Sequence, residues 1–415
     1  MEEILRLQNP WWTSKKKLDV GVIRKSYIED LTKKLEYSNI CLLLGGRRVG
    51  KTTLIYQYIN KLIDSGIPVS HILYVLLDTF AFNNMSIHTI LQEYRKIHNI
   101  SIDQEIYIFL DEVQYKDNWE QELKNIYDIE KNVHIIVTGS ASFKIHVKTA
   151  FLTGRHTNMY MFPLTFKEFL EFKNIDIPLY EGYRYINILD EYLKIGGYPE
   201  YISLQEPDYF SNLVDSIVYK DFVEYYNIRN LDIVRDLLKL IADRSGSHTS
   251  LIKLGKILGI SKDTVREYIT ALKETFNMYE LERFAFSRNE RIYFPKKYYI
   301  NDNGLLFNLC GKLNRGQAAE RTLFDFLQRK YKDSLYFFYN KGREIDFLIK
   351  QNNEIQLIES KYIDNIDDFN TTHLFNVLES FQSHEAIVVT ESIEKNVTEG
   401  GNNIHFIPLW KYLLT

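Results

Sequence analysis

Cysteine is nearly absent from this chain of 415 residues: only Cys41 and Cys310 occur, far apart in sequence. Two isolated thiols exclude a disulfide framework and any paired redox or metal spacing, and they suit a reducing compartment. The ten histidines are scattered without paired zinc-ligand spacing, so no structural zinc is expected. Long apolar runs are missing too. No stretch approaches the roughly 20 residues a bilayer-crossing helix needs, and no membrane partner is expected. The opening residues, MEEILRLQNPWWTSKKK, hold no signal-type apolar run, so the expected location is cytoplasmic. Nor is there an excess of charge of one sign. A net charge of −4 excludes a protein coated in nucleic-acid-binding charge, and any such surface must be local. Internal repeats, low-complexity tracts and long linkers are likewise absent.

What is present is a globular balance, 45% hydrophobic and 26% charged, in a chain long enough for two to four domains at about 150 residues each. The first 160 residues alternate apolar runs with helical patterns, which reads as a parallel α/β sheet. Strands are expected at Ile40–Leu44, Ile72–Leu77, Ile106–Leu110 and Val133–Val137, with a fifth near Thr157–Phe162, and Pro163 closes the series. A helical stretch runs from Phe166 to about Ala242, interrupted at Gly196-Gly197 and Pro199, where the pattern predicts a hinge. A helix–helix–hairpin unit reaches about Ile300, and the remainder reads as helix, three strands, helix and strand.

Gly45, Gly46, Arg47, Arg48, Val49, Gly50, Lys51 and Thr52 match the phosphate-loop pattern G-x-x-x-x-G-K-[ST], with Thr53 opening the next helical run. The apolar run Ile40–Leu44 leads into it. Glycines let successive N–H groups converge on phosphate oxygens, and the N-terminus of the following helix adds positive potential. Lys51 would neutralise the β- and γ-phosphates of ATP, and the Thr52 hydroxyl would ligate Mg²⁺. The run Ile106–Leu110 ends in Asp111-Glu112, suiting Asp111 to the Mg²⁺ and Glu112 to the attacking water as base. Beyond Val137, either Thr138 or Ser140 could sense the γ-phosphate, a turn or helix cap being the plainer use. Arg155 is a candidate finger reaching a neighbouring subunit's nucleotide, which would imply a homo-oligomer; a surface arginine is the plainer use. Trp11-Trp12 reads as a lid over the first strand, with adenine contact as the other use.

The order GGRRVGKT, IYIFLDEVQ, IIVTGSAS, TGRHTNMYMFPLTFKEFL and GGYPEYI, preceded by QNPWW, resembles a family of archaeal and bacterial AAA+-type ATPases similar to the signal-transduction ATPases. The resemblance spans essentially the whole chain and is most specific in its first 200 residues. It implies ATP and Mg²⁺ at Lys51, Thr52, Asp111 and Glu112, sensor duty at Ser140 and the finger at Arg155. It also implies a C-terminal region with winged-helix and nuclease-like parts.

The later residues agree with those parts. Leu251, Leu254, Ile257 and Leu258 share one helical face, and Val265, Ile269 and Leu272 share another on Lys262–Phe276. The runs Tyr279–Phe286 and Arg291–Tyr299, around a Ser287–Glu290 turn, would form the wing. Arg283, Arg288, Arg291, Lys296 and Lys297 would meet double-stranded DNA there. The second helix is less suited, because Lys262, Arg266 and Lys273 are offset by Asp263, Glu267 and Glu274. Further on, Asp346, then Glu359 and Lys361, match the acid–acid–lysine pattern of PD-(D/E)XK nucleases, with Glu320 as an additional acid on helix Gln317–Lys330. Asp346, Glu359 and Glu320 would hold Mg²⁺ and Lys361 would position water. A register slip of one residue would separate Asp346 from Glu359.

The expected architecture is therefore α/β: a P-loop core over 1–163, a helical lid over 164–243, a winged helix over 244–300 and a nuclease-like domain over 301–415. ATP turnover would move the lid and regulate a DNA-acting C-terminus. Two alternatives stand beside it: a nucleotide-gated scaffold that binds protein, and a slow ATPase with an inactive nuclease fold used for DNA docking.

Overall fold

A computed structural model describes residues 1–14, 17–139, 152–223, 230–352 and 354–415. The chain divides into two compact units, Met1–Phe162 with Glu274–Phe276, and Pro163–Lys273 with Asn277–Thr415.

The first unit is built on a five-stranded sheet in the order β2-β3-β4-β1-β5, comprising β1 (Ile40–Gly45), β2 (Ile72–Leu76), β3 (Ile106–Asp111), β4 (Val133–Gly139) and β5 (His156–Met161). All neighbouring pairs are parallel. β1 is buried throughout, as its unbroken apolar run requires of a strand covered on both faces. β3 runs one residue further than its apolar pattern, so Asp111 is its last residue.

The N-terminal segment closes the free edge at β2. Asn9, fully buried, imitates a strand: its Nδ2 donates to the Tyr74 carbonyl at 2.8 Å and its Oδ1 accepts from the Tyr74 N–H at 2.7 Å. The indoles of Trp11 and Trp12 both donate to the Ile72 carbonyl, at 3.3 and 2.8 Å. The tryptophans thus cover the second strand and not the first. β1 lies between β4 and β5 and has no edge to cover, whereas β2 would otherwise leave backbone groups unpaired.

In the second unit one apolar core runs from Phe169 and Leu189 through Tyr299 and Phe324 to Phe347 and Trp410. The segments expected as lid, winged helix and C-terminal domain all contribute to it. Gly196-Gly197 is a packing point and not the expected hinge. A Cβ at Gly197 would lie 2.3 Å from the Leu164 carbonyl oxygen. The buried Asp302 carboxylate accepts from the N–H groups of Gly197, Gly304 and Leu305 at 2.6, 2.7 and 3.2 Å, tying the glycines to the start of helix Asn303–Cys310.

Helices Leu251–Leu258 and Lys262–Glu274 lie between the first and second strands of a small antiparallel sheet ordered β6-β8-β7, from β6 (His248–Thr249), β7 (Met278–Leu281) and β8 (Lys296–Ile300). The expected antiparallel pairing forms only between Met278–Leu281 and Lys297–Ile300; the tight turn at Ser287–Glu290 does not, Arg288–Tyr293 being a helix. The reason lies in β9 (Leu335–Asn340), the edge strand of the C-terminal sheet. After Leu281 the chain leaves β8 and pairs with that edge, Phe284 N–H donating to the Phe337 carbonyl at 2.6 Å and Phe337 N–H to the Glu282 carbonyl at 3.0 Å.

That C-terminal sheet has the order β13-β14-β12-β11-β10-β9, with β10 (Arg343–Gln351), β11 (Glu354–Ser360), β12 (Glu385–Thr390), β13 (Lys395–Glu399) and β14 (Asn402–Pro408). Helices Arg315–Tyr331 and Thr371–Phe381 accompany it. β13 and β14 go beyond the sequence expectation, since β13, KNVTE, is largely exposed and has little apolar signal. Among the described residues no helix is long and apolar enough to cross a membrane.

Candidate functional site

The phosphate loop leaves β1 and turns into helix Lys51–Asp64 through Gly50, whose φ of 99° places it in the left-handed region. Lys51 is buried and donates from Nζ to the carbonyls of Gly45 and Gly46 at 2.9 and 2.8 Å. These bonds hold the ammonium over the concavity of the loop. Arg24 braces the loop from outside: its Nη1 donates to the Phe162 carbonyl at 2.9 Å and to the Val49 carbonyl at 3.4 Å. Arg24 lies 25 residues upstream of Val49, outside any local pattern, so no sequence signal marked it.

Asp111, 1% exposed, is the hub of the second element. Its Oδ2 accepts from the Thr52 hydroxyl at 2.7 Å and from the Tyr74 hydroxyl at 2.9 Å, and its Oδ1 accepts from the Thr138 hydroxyl. Burial, reinforced by the Asp111 carboxylate, pushes the Tyr74 phenol well above its ordinary range and keeps it a neutral donor. Thr138 also accepts from the Glu112 N–H at 3.0 Å, linking both acids to β4. Glu112 has φ 59°, an uncommon value for a side-chain-bearing residue, and its carboxylate accepts from the Gln114 amide.

Thr52 Oγ1 and Asp111 Oδ2 are hard oxygens separated by 2.7 Å, near the roughly 3 Å between adjacent ligands of an octahedral Mg²⁺. The pair therefore fits the ion the motif implies. Mg²⁺ commonly takes one or two protein oxygens and completes its shell with water and phosphate. Among the described residues no group of three or more His, Cys, Asp or Glu is disposed to hold a metal, and the expected set of Glu320, Asp346 and Glu359 is no exception.

Of the two remaining expected residues, only one can be placed, and it is not at this hub. Ser140 lies outside the described residues. Arg155 is partly exposed and its guanidinium pairs with Asp128 of the same unit at 2.9 Å.

The C-terminal cleft, about 680 Å³, collects Glu320, Asp346, Glu359 and Lys361. The β10–β11 register, Phe347 opposite Ile358, aligns Asp346 with Glu359. The Asp346 N–H donates to Glu359 Oε2 at 3.1 Å, and the Ser360 N–H donates to Asp346 Oδ2 at 3.1 Å. Lys361 Nζ lies 3.1 Å from Glu359 Oε1. Burial, together with the Asp346 carboxylate, pushes both Glu320 and Glu359 upward from the usual carboxylate range.

One cation arrives from elsewhere. Lys297 on β8, expected to face DNA, is 1% exposed and its ammonium lies 2.7 Å from Glu344, 3.1 Å from Asp346 and 3.7 Å from Glu320. Three of the other four wing cations are also engaged, and Arg288 is exposed. Lys296 pairs with Glu282 at 2.9 Å, while the Arg283 and Arg291 guanidinium groups lie over the rings of Phe294 and Tyr336. The basic face read from the sequence is thus largely spent inside the unit. Lys297 and Glu344 were missed as partners because 49 residues separate Lys297 from Asp346 and no spacing rule joins them.

A parallel sheet whose first strand enters a glycine-cornered loop, with an acid from β3 bonded to the loop's threonine, defines a P-loop nucleoside triphosphatase fold. Residues 37–170 match the AAA domain family, so the chain carries an AAA+-type P-loop ATPase domain. Residues 186–316 and 315–412 match two families described as domains of unknown function, DUF8612 and DUF4143. An uncharacterized protein of Haemophilus influenzae is 26% identical over 401 residues, covering 94% of this chain and 98% of its own length. Another, from Methanocaldococcus jannaschii, is 27% identical over 430 residues, covering 96% and 93% respectively. Among solved structures, a Walker-type ATPase of Pyrococcus abyssi is similar at 19% identity and a TM-score of 0.45, over 69% of this chain and 95% of that one.

Proposed function

We propose that this chain is a Mg²⁺-dependent ATPase whose nucleotide state governs a C-terminal region acting on double-stranded DNA, by cleavage of the phosphodiester backbone. The observation that carries the ATPase reading is the Thr52–Asp111 contact of 2.7 Å beside a buried Lys51.

Arriving phosphate oxygens replace the Gly45 and Gly46 carbonyls as partners of the Lys51 ammonium, exchanging neutral acceptors for charged ones. Loop N–H groups and the start of helix Lys51–Asp64 take the remaining oxygens. Thr52 and Asp111 would hold a Mg²⁺, which would supply charge neutralisation at the phosphates. Tyr74 and Thr138 orient the Asp111 carboxylate by donating to it. Glu112, at the end of β3 and anchored to Thr138 through its N–H, accepts the proton of the attacking water. Arg155 is assigned to a neighbouring subunit's nucleotide; its release from Asp128 would accompany assembly.

In the C-terminal cleft, Asp346 and Glu359 are suited to one divalent cation, which would polarise a phosphodiester, and Lys361 to the water that attacks it. The 3.1 Å hydrogen bond from the Asp346 N–H to Glu359 Oε2, which sets the two acids side by side on adjacent strands, supports this assignment. Incubating the full chain with ATP, Mg²⁺ and several DNA forms, while following phosphate release and strand breaks together, tests both halves. ATP-dependent breaks that vanish in Glu359→Gln are expected; turnover without breaks on any DNA form rejects the nuclease half.

A second reading, a nucleotide-gated scaffold for a protein partner, is favoured by the engagement of Lys296, Lys297, Arg283 and Arg291 within the unit. Exposed Phe286, Ile292 and Tyr293 at the same place suit protein better than phosphate. Binding to DNA with a steep salt dependence would speak against it.

A further inference from the structure

Lys297 does not belong to the acid–acid–lysine pattern, yet it is the most buried charge of the cleft. It stands on β8, paired with β7 and with β6, and so is delivered by the winged-helix sheet, not by the C-terminal sheet that carries the acids. Its neighbours are fixed as well. Glu320 accepts from the Tyr299 hydroxyl at 2.8 Å, and Asp346 accepts from the Ser360 N–H at 3.1 Å. A Cβ at Gly246, beside β6, would lie 2.5 Å from Glu320 Oε1, so the backbone there closes tightly over the same acid.

We propose that Lys297 is the resident second cation of the C-terminal site: it holds Glu320, Glu344 and Asp346 so that the cleft takes one divalent ion, at Asp346 and Glu359, in place of two. The inference rests on the metal-dependent reading of that cleft. Charge accounting supports it. The ion-paired cluster contains four carboxylates, Glu320, Glu344, Asp346 and Glu359, against the ammoniums of Lys297 and Lys361; the His248 imidazole, 3.5 Å from Glu344, is counted as neutral, since burial pushes it down from the usual imidazole range. The formal imbalance is two negative charges, which one divalent ion cancels and a second would overturn. Position supports it too. An ammonium within 3.7 Å of three carboxylates occupies the space a second ion would need, because Glu320, the additional acid, has one oxygen facing Lys297 and Tyr299. Lys297 acts through these carboxylates and is a positioning residue. Its placement also makes the winged-helix sheet one wall of the site.

The test is a Mn²⁺ titration of the nucleotide-free full chain in an Asp111→Asn background, which removes the metal ligand of the ATPase domain. Free Mn²⁺ is followed by electron paramagnetic resonance. One ion per chain is expected, lost in Glu359→Gln. Lys297→Met should admit a second ion or tighten the first by at least about tenfold, the scale of one unit charge a few ångströms away in a protein. Lys297→Arg should restore the single-ion behaviour. Because Lys297→Met leaves the buried acids without a donor, Lys297→Gln, which removes the charge but keeps an amide donor, is titrated alongside and should match it. Two ions in the parent chain, both sensitive to Glu359→Gln, overturn the inference while leaving the metal-dependent reading intact. Unchanged stoichiometry and affinity in folded Lys297→Met or Lys297→Gln also overturn it. Absence of any Glu359-dependent ion defeats the underlying reading and the inference with it.

Discussion

Both sites of this chain seat a buried lysine among oxygens, but the oxygens differ in kind. Lys51 donates to the neutral carbonyls of Gly45 and Gly46, whereas Lys297 faces the carboxylates of Glu344, Asp346 and Glu320. A carbonyl is a partner that an incoming phosphate displaces easily. A buried carboxylate is not, since separating it from its cation leaves a charge stranded in low dielectric. The first arrangement is suited to exchanging partners when a ligand arrives, and the second to keeping them.

That contrast can be broken in order of expected effect. Glu359→Gln should eliminate DNA strand cleavage while ATP turnover persists; a parallel loss of both in a folded protein would mean that the sites are one machine. Glu112→Gln should slow phosphate release by about 10²- to 10⁴-fold, as expected for loss of a general base, with ATP still bound. Normal turnover in that variant assigns the base to another residue. In urea denaturation, Lys297→Met should cost about 3–5 kcal/mol, because one partner of a buried ion-pair cluster is removed. Lys51→Met should cost only about 1 kcal/mol, the net worth of ordinary hydrogen bonds, while ATP binding is lost. Equal stability losses would erase the distinction between the two lysines. Asn9→Ala should cost about 1–3 kcal/mol by leaving the backbone groups of Tyr74 unsatisfied at the β2 edge. Smallest of all, Arg155→Ala should change stability by less than about 1 kcal/mol, its Asp128 pair being partly exposed. Its turnover defect, if rescued by mixing with Glu112→Gln subunits, would place Arg155 in a shared site.

Legibility in the sequence followed the range of the interactions. The phosphate loop and Asp111-Glu112 were readable because strand, loop and helix follow one another and the chemistry is carried by contiguous residues. Parallel strands buried on both faces show as apolar runs, so β1 to β4 were found to within two residues at either end. The outer half of the wing was misread because its aromatic residues suit a hairpin, while the edge of β9, some 50 positions on, offers the pairing that prevails after Leu281. Arg24, Asn9, Tyr74 and Lys297 were invisible for the same reason. Each acts on a partner brought near by the fold, with no periodicity or motif to mark it. The Asp346–Glu359 alignment was conditional on strand register, a property that turn geometry and packing decide.

The most direct test of the central claim is equilibrium binding of a fluorescent ATP analogue to the full chain with and without Mg²⁺, repeated on Thr52→Ala. Tighter binding with Mg²⁺ in the parent chain, and loss of that gain in the variant, is the expected result. Binding that is indifferent to Mg²⁺, or a gain that survives Thr52→Ala undiminished, would contradict a nucleotide–metal site built on Thr52 and Asp111.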